Sequence, residues 1–456
     1  MCGFFCTNLP NTPDAFADVE SRGWETREYS HREYVAVQSQ LPCYTGELDF
    51  SHYECDDYIF SFVGEIYDVP PGYASDTEYM RVCAIQQNYA NINGQYAFVL
   101  YNKHNYHVTV GRDPLGQVPL FIHVNRGVSA ATTLPSMVQQ LDARLDPFTI
   151  DRWCASKHYT SARTQWLGID AVEPGVINTY TLRGRLVSSS RVPIQYHTDD
   201  VDAAELLEEL QPYYSTPLDS AHIVSGGIDS TVLAHTWGST TNIGLDHVGK
   251  DWVSNTLDRF HQIPVDVHEI SLAEWSEAAE SLISETYTIP YSWSWVGYYI
   301  LGERTTANVL YTGEGADEIF GGYPDYPTGT TPYATNPEHD DLRAALYAAN
   351  PPSVANKLLD TAVFVPISTT GANLALGCYT VEPRNPYLDH RIVYNTTYRD
   401  HIGKPDLRAA FIDAFGDSRL QPKQGFGGWP DEFSKTHSDQ PWPHGAWQLV
   451  NRMFRK

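Results

Sequence analysis

The sequence predicts two domains of different class: an α+β sandwich of stacked antiparallel sheets over residues 1–187, a linker over 188–201, and an α/β domain with an open parallel sheet over 202–456. Three observations carry this reading. Short apolar and aromatic runs recur early with turns between them, at Tyr34–Val37, Tyr58–Val63, Tyr96–Tyr101 and Tyr106–Val110, as antiparallel strands do. Later runs, Ala221–Val224, Thr241–Leu245, Val265–Ile270 and Asn308–Thr312, alternate with helical patterns, the βαβ signature. Between the first of these strands and its helix lies Ser225-Gly226-Gly227-Ile228-Asp229-Ser230-Thr231, a tight glycine turn.

At 456 residues, with 13% aromatics, the chain is long enough for two or three ordered domains. A formal net charge of -26 makes free nucleic acid and anionic membrane poor partners and fits small-molecule substrates. Seven cysteines without a CxxC point to free thiols in a reducing, cytoplasmic setting. No signal peptide or membrane-length apolar run is evident, so the sequon-like Asn395-Thr396-Thr397 reads as chance. The histidines show no HExxH or zinc spacing, so no structural metal is expected.

In the first domain Cys2 follows the initiator methionine. Trimming Met1 would leave Cys2 with its own α-amine, of pKa roughly 7.7–8.0, as base for the thiol. Behind it stand Gly64-Glu65-Ile66-Tyr67, Ser75-Asp76-Thr77-Glu78, Asn93–Phe98 and Gly111-Arg112-Asp113-Pro114-Leu115-Gly116. In this order the motifs resemble the class II glutamine amidotransferase domain of the asparagine synthetase B family, a four-layer αββα sandwich with an N-terminal nucleophile (Ntn). The resemblance implies that Cys2 attacks the glutamine amide and that the Gly64 N–H serves the oxyanion. It also implies that Asp76 holds the glutamine α-amine and that Glu65 belongs to the same pocket. The Gly111–Gly116 loop reads as structural, with Arg112 free to pair with Asp113 or a neighbouring acid.

Three departures bear on that pocket. The family carries Asn where this chain has Val63, which removes one oxyanion donor and costs on the order of 10²–10³ in rate. The family's carboxylate-binding Arg corresponds to Gln40, in Gln40-Leu41-Pro42-Cys43, and its RGPD element survives only as Arg22-Gly23-Trp24-Glu25. Nitrogen could therefore come from glutamine or from free ammonia. Thr164–Gly175 resembles the last sandwich segment, the polar run from Ser188 to Asp200 reads as linker, and Ala203–Leu210 as a short amphipathic helix.

In the second domain the Ser225–Thr231 turn presents backbone N–H groups and a helix N-terminus to an anion. No Lys follows the glycines, so it is not a P-loop, and Asp229 beside phosphate makes sense with Mg2+ between them. The turn resembles the PP-loop of ATP pyrophosphatases, on an adenine nucleotide alpha-hydrolase-like sheet. Thr312-Gly313-Glu314-Gly315-Ala316-Asp317-Glu318 through Tyr323 resembles the signature of the asparagine synthetase domain. By that resemblance Ser225, Gly226, Gly227, Asp229 and Ser230 hold pyrophosphate and metal, and Asp229 and Asp317 share Mg2+. Val224, Ile243, Thr312 and Gly313 contact adenosine, and Glu314 orients or deprotonates the attacking ammonia. The related β-lactam synthetases have a Tyr at that place, so Glu314 favours a free nucleophile.

Val381–Asp389 resembles the family's E-x-R-x-P-[FY]-L-D and reads as scaffold, with Arg384 able to pair with Glu382 or Asp389. Lys404 and Leu407-Arg408 resemble its K-x-x-LR helix, and Lys423 its phosphate-contacting lysine. The expected activity is ATP- and Mg2+-dependent amidation of aspartate to asparagine through an aspartyl adenylate, in a homodimer. Two alternatives stay open: adenylation of a different carboxylate on the same scaffold, and a non-catalytic family derivative.

Overall fold

Alternating apolar residues in the first half need covers on both sheet faces, and the chain supplies them. The computed structural model describes residues 2–10, 16–41, 50–156, 163–192, 203–214, 219–238, 241–248, 253–254, 263–290, 292, 294–323, 339–396, 402–416, 449 and 452–454. Its first eleven strands are β1 (Gly3–Thr7), β2 (Glu25–His31), β3 (Tyr34–Gln40), β4 (Tyr58–Ile66), β5 (Gly94–Asn102), β6 (His107–Arg112), β7 (Phe121–Val124), β8 (Val128–Ala131), β9 (Asp170–Ala171), β10 (Val176–Thr181) and β11 (Leu186–Arg191). They form two antiparallel sheets, ordered β2-β3-β1-β8-β7-β9 and β11-β10-β6-β5-β4.

The period of two decides the layering. In β1, Phe4 and Cys6 point between the sheets, where the Cys6 thiol meets Ser61 of β4 at 3.4 Å. Phe5 points the other way, against Leu134 and Met137 of the Leu134–Leu141 helix. The Asp76–Gln86 helix covers the far face of the second sheet. The result is helix, sheet, sheet, helix, as the sequence predicts.

That last helix starts where its residues demand. The Ser75 hydroxyl accepts the Glu78 N–H at 3.1 Å, leaving Asp76 in the first turn. It stops at Gln87, which is left-handed at φ 55.

One boundary differs from expectation. Ser188–Arg191 is strand, paired with Val176–Thr179 of β10, and not the start of the linker. The run is fully exposed at the sheet edge, so no apolar face was required and its composition reads like a connection. Of the rest of the expected linker, 193–201 lies outside the described residues.

The second half is a parallel sheet of β12 (Ser220–Ile223), β13 (Asn242–His247), β14 (Asp266–Ile270), β15 (Val309–Tyr311) and β16 (Glu382–Arg384), ordered β14-β13-β12-β15-β16. Four are the expected strands; β16, from the segment read as scaffold, adds the edge beside β15. Trp275, Leu282 and Leu376 pack one face, and Tyr214, Trp237 and Leu388 the other. Among the described residues no helix is long and apolar enough to cross a membrane.

The halves share their interior. Tyr67 and Leu115 of the first half join the core of Leu207, Tyr311 and Leu388. Arg112, expected to pair with an acid, instead donates to the carbonyls of Val118 (2.6 Å), Val172 (3.0 Å) and Gly116, and to Thr370 (3.0 Å) on the long helix Pro352–Gly377. Asp113 accepts N–H groups from Leu115, Gln117, Val118 and Tyr96, which satisfies it without the guanidinium. Arg384, wholly buried, meets Glu382 at 3.2 Å and also Glu65 of the first half.

Candidate active sites in the two halves

Cys2 sits at the entry to β1, where its sulfur accepts the Leu41 N–H at 3.1 Å. Burial, with Glu382 adding to it, pushes the thiol up to about 11, and the Leu41 N–H and the N-terminal amine oppose this. Asp76 faces the same place from its helix, accepting the Thr77 N–H at 2.6 Å and the Ile66 N–H at 3.4 Å. Burial outweighs those bonds and raises its carboxyl to about 6.

Gly64, on β4, has a backbone no side chain could take up. Its φ is 120, and an added Cβ would lie 1.9 Å from the Gln95 carbonyl oxygen. Val63, in the lost donor position, is buried in the inter-sheet core opposite Ala97. Glu65, placed by resemblance in the glutamine pocket, turns instead to Arg384 across the domain interface. Burial pushes Glu65 well up, against the pull of Arg384 and with Glu382 adding to it. The structure thus brings Cys2 and Asp76 within electrostatic reach of each other, and Glu65, though paired with Arg384, stays within reach of Asp76.

Holding a glutamine α-ammonium requires Asp76 ionised. Glutamine KM is expected to rise as pH falls through about 6, and Asp76→Asn to abolish that limb in an ammonia-release assay. A flat KM between pH 5 and 8 would remove Asp76 from this role.

In the second half the expected nucleotide groups lie at the carboxyl ends of β12 and β15, with Ile243 at the start of β13 beside the end of β12. Gly226 is left-handed at φ 73, and the Ser230 hydroxyl takes the Ser225 N–H at 3.1 Å, which fixes the turn. The following helix, Ile228–Thr236, has Gly227 at its N-cap with no side-chain cap. Val224 donates its N–H to Ile243 at 2.9 Å, so these two meet in the ladder and their side chains lie in the core. Gly313 comes up against Asp229, where an added Cβ would stand 3.3 Å from the Asp229 Cβ. Thr312 spends its hydroxyl on Asn385 at 2.6 Å.

Asp229 and Asp317 converge on one cation. The buried Lys404 ammonium lies 2.5 Å from Asp229 and 2.7 Å from Asp317. Burial pulls its pKa down, but the two acids together raise it, so it is held charged. Backbone bonds from Gly403 to Gly321 (2.8 Å) and Lys404 to Phe320 (3.2 Å) bring it there. Gly322 leaves the room, since a Cβ would stand 1.8 Å from Asp317 Oδ1 and 2.3 Å from Lys404 Cε. Two carboxylates aimed at one positive centre are the donor chemistry of a hard cation, so Asp229 and Asp317 are the residues that would hold Mg2+. Among the described residues no cluster of three or more His, Cys, Asp or Glu could hold a metal by itself.

Glu314 stands beside this pair. The Tyr298 and Ser368 hydroxyls each donate to one of its oxygens. Burial raises its pKa, while Ser368 and Tyr298 draw it down. Glu318, next to Asp317, is pushed by burial up to about 8. Lys423 lies outside the described residues. Sequence reading noted Lys404 only as part of a helix motif and missed Tyr298 and Ser368, which no local spacing marks.

Residues 73–189 match the family model described as glutamine amidotransferase domain, and residues 220–366 that of asparagine synthase. The glutamine-hydrolyzing asparagine synthetase 1 of Bacillus subtilis (strain 168) is 22% identical over 89% of this chain and 70% of its own length. The Rattus norvegicus asparagine synthetase is 25% identical over 75% of this chain and 63% of its own. Asparagine synthetase B of Escherichia coli (strain K12) is 23% identical over 66% and 53%. Among solved structures, glutamine phosphoribosylpyrophosphate amidotransferase from B. subtilis aligns at TM-score 0.30 and 12% identity over 59% of this chain and 81% of that one, a distant likeness.

Proposed function

We propose, for a chain that belongs to the asparagine synthetase family by its paired amidotransferase and synthase domains, an ATP-dependent amidation of aspartate to asparagine. The observation that carries this reading is the convergence of Asp229 and Asp317 beside the uncapped Ser225–Ser230 turn, with Glu314 adjoining. The turn's N–H groups would bind pyrophosphate oxygens. The two carboxylates would hold Mg2+, which offsets charge as ATP is split between its α and β phosphates. Attack of the substrate carboxylate on the α-phosphorus would form the adenylate and release pyrophosphate. Ammonia would then attack the acyl carbon, Glu314 taking a proton, with AMP as leaving group.

A second reading of the nitrogen source has its own support. Val63 is apolar and buried, so its side chain offers no oxyanion donor, which favours free ammonia as the supplier.

The test is asparagine formation from ATP, Mg2+ and aspartate, with glutamine compared against ammonium chloride. Product with ammonium that equals or exceeds that with glutamine supports the ammonia route. Product with glutamine that disappears in Cys2→Ala restores the glutaminase. No asparagine from either source rejects aspartate as the substrate.

A further inference from the structure

We infer that Tyr298 and Ser368 are positioning residues that hold Glu314 as the ionised base of nitrogen transfer, one hydroxyl on each carboxylate oxygen. The inference rests on the proposed reaction and adds two side chains to it. They come from different helices, Ser294–Arg304 and Pro352–Gly377, so their meeting on one carboxylate is a property of the packed domain.

The Pro352–Gly377 helix shows that this is a choice of partner. Thr361 and Thr369 bond back to the carbonyls of Lys357 and Val365, each at 2.8 Å, as hydroxyls in helices commonly do. Ser368 instead reaches out to Glu314. Tyr298 is able to donate here: burial, then Glu314, holds its phenol well above its ordinary pKa, so it keeps its proton.

The acids acting on Glu314 are Asp317, Asp229 and Glu318, and Lys404 offsets the charge of the first two. From its own loop the Glu314 N–H donates to Thr312 at 3.2 Å. Donors on a carboxylate favour its charged form, so the two hydroxyls counter the burial that would protonate it. A carboxylate has about four lone-pair sites. Two are spent on the clamp and two remain for the attacking nitrogen's proton.

The test uses Tyr298→Phe, Ser368→Ala and the conservative Ser368→Thr, with Glu314→Gln as reference. The Glu314 carboxyl is titrated by infrared difference spectroscopy against the reference protein. Its midpoint is expected to move up by about one pH unit in Tyr298→Phe and in Ser368→Ala, and to return in Ser368→Thr. In parallel, ammonia-dependent amide formation should fall about tenfold more than ATP–pyrophosphate exchange, and its acidic limb should shift upward with the midpoint. A midpoint unmoved in both variants overturns the inference. So does loss of both half-reactions in step with an unmoved limb, the behaviour of mere scaffold. If one variant does not fold, the other still decides. The infrared arm needs no substrate, so rejection of aspartate as acceptor leaves it readable.

Discussion

Asp229→Asn is expected to lower ATP–pyrophosphate exchange by about 10³-fold while leaving the protein folded. The carboxylate stands at the first turn of the Ile228–Thr236 helix, where it and Asp317 face a single positive centre, now the Lys404 ammonium. A cation shared with phosphate contributes several kcal/mol of charge stabilisation, and each 1.36 kcal/mol is tenfold in rate. Removing one of its two carboxylates should forfeit most of that. Stability should hold better, because Lys404 keeps Asp317 at 2.7 Å and the Tyr387 hydroxyl still donates to the Asp229 backbone carbonyl at 2.8 Å. Exchange kinetics at saturating ATP, followed against Mg2+ concentration, measure it. Exchange within tenfold of the parent would remove Asp229 from metal and phosphate binding.

Arg384→Ala should be the most damaging change to the fold, at about 3–5 kcal/mol. Its guanidinium joins the first half's Glu65 to Glu382 and also donates to the Tyr214 carbonyl at 3.1 Å, all in the interior. Taking it away leaves two buried carboxyls without a counter-ion at the junction of the domains. Chemical denaturation should show the loss, and Glu65→Met with Arg384→Met should recover only the share due to Glu65, because Glu382 still loses the guanidinium.

The pH dependence has a definite sign. Glu65 is raised in the folded state, so its contribution to stability is present at low pH and lost as pH rises through the folded value. The deficit of Arg384→Ala should therefore shrink on acidification. A single-variant cost under about 1 kcal/mol at pH 8 would mean that water or relaxation supplies the missing charge.

Cys2 and the strand rhythm through Arg112 are local in sequence, and the sandwich they predict is the one that forms. The same holds for Ser225–Ser230 and Gly313–Asp317, whose glycines and acids lie within a few residues of one another. Turn chemistry and periodicity are set by neighbours along the chain, so sequence alone determined these elements and the reaction class they suit. It misread Ser188–Arg191, because an edge strand with both faces in water carries no apolar pattern. It placed Glu65 by motif, and could not show that the same carboxyl, once buried, also meets Arg384 from the other domain. Lys404 reaches Asp229 across 175 positions, and Ser368 reaches Glu314 across 54. No spacing encodes such pairs. Helices packed on a sheet bring them into one dry space, where each charge or carboxylate must find a partner, and only the tertiary structure decides which one it finds.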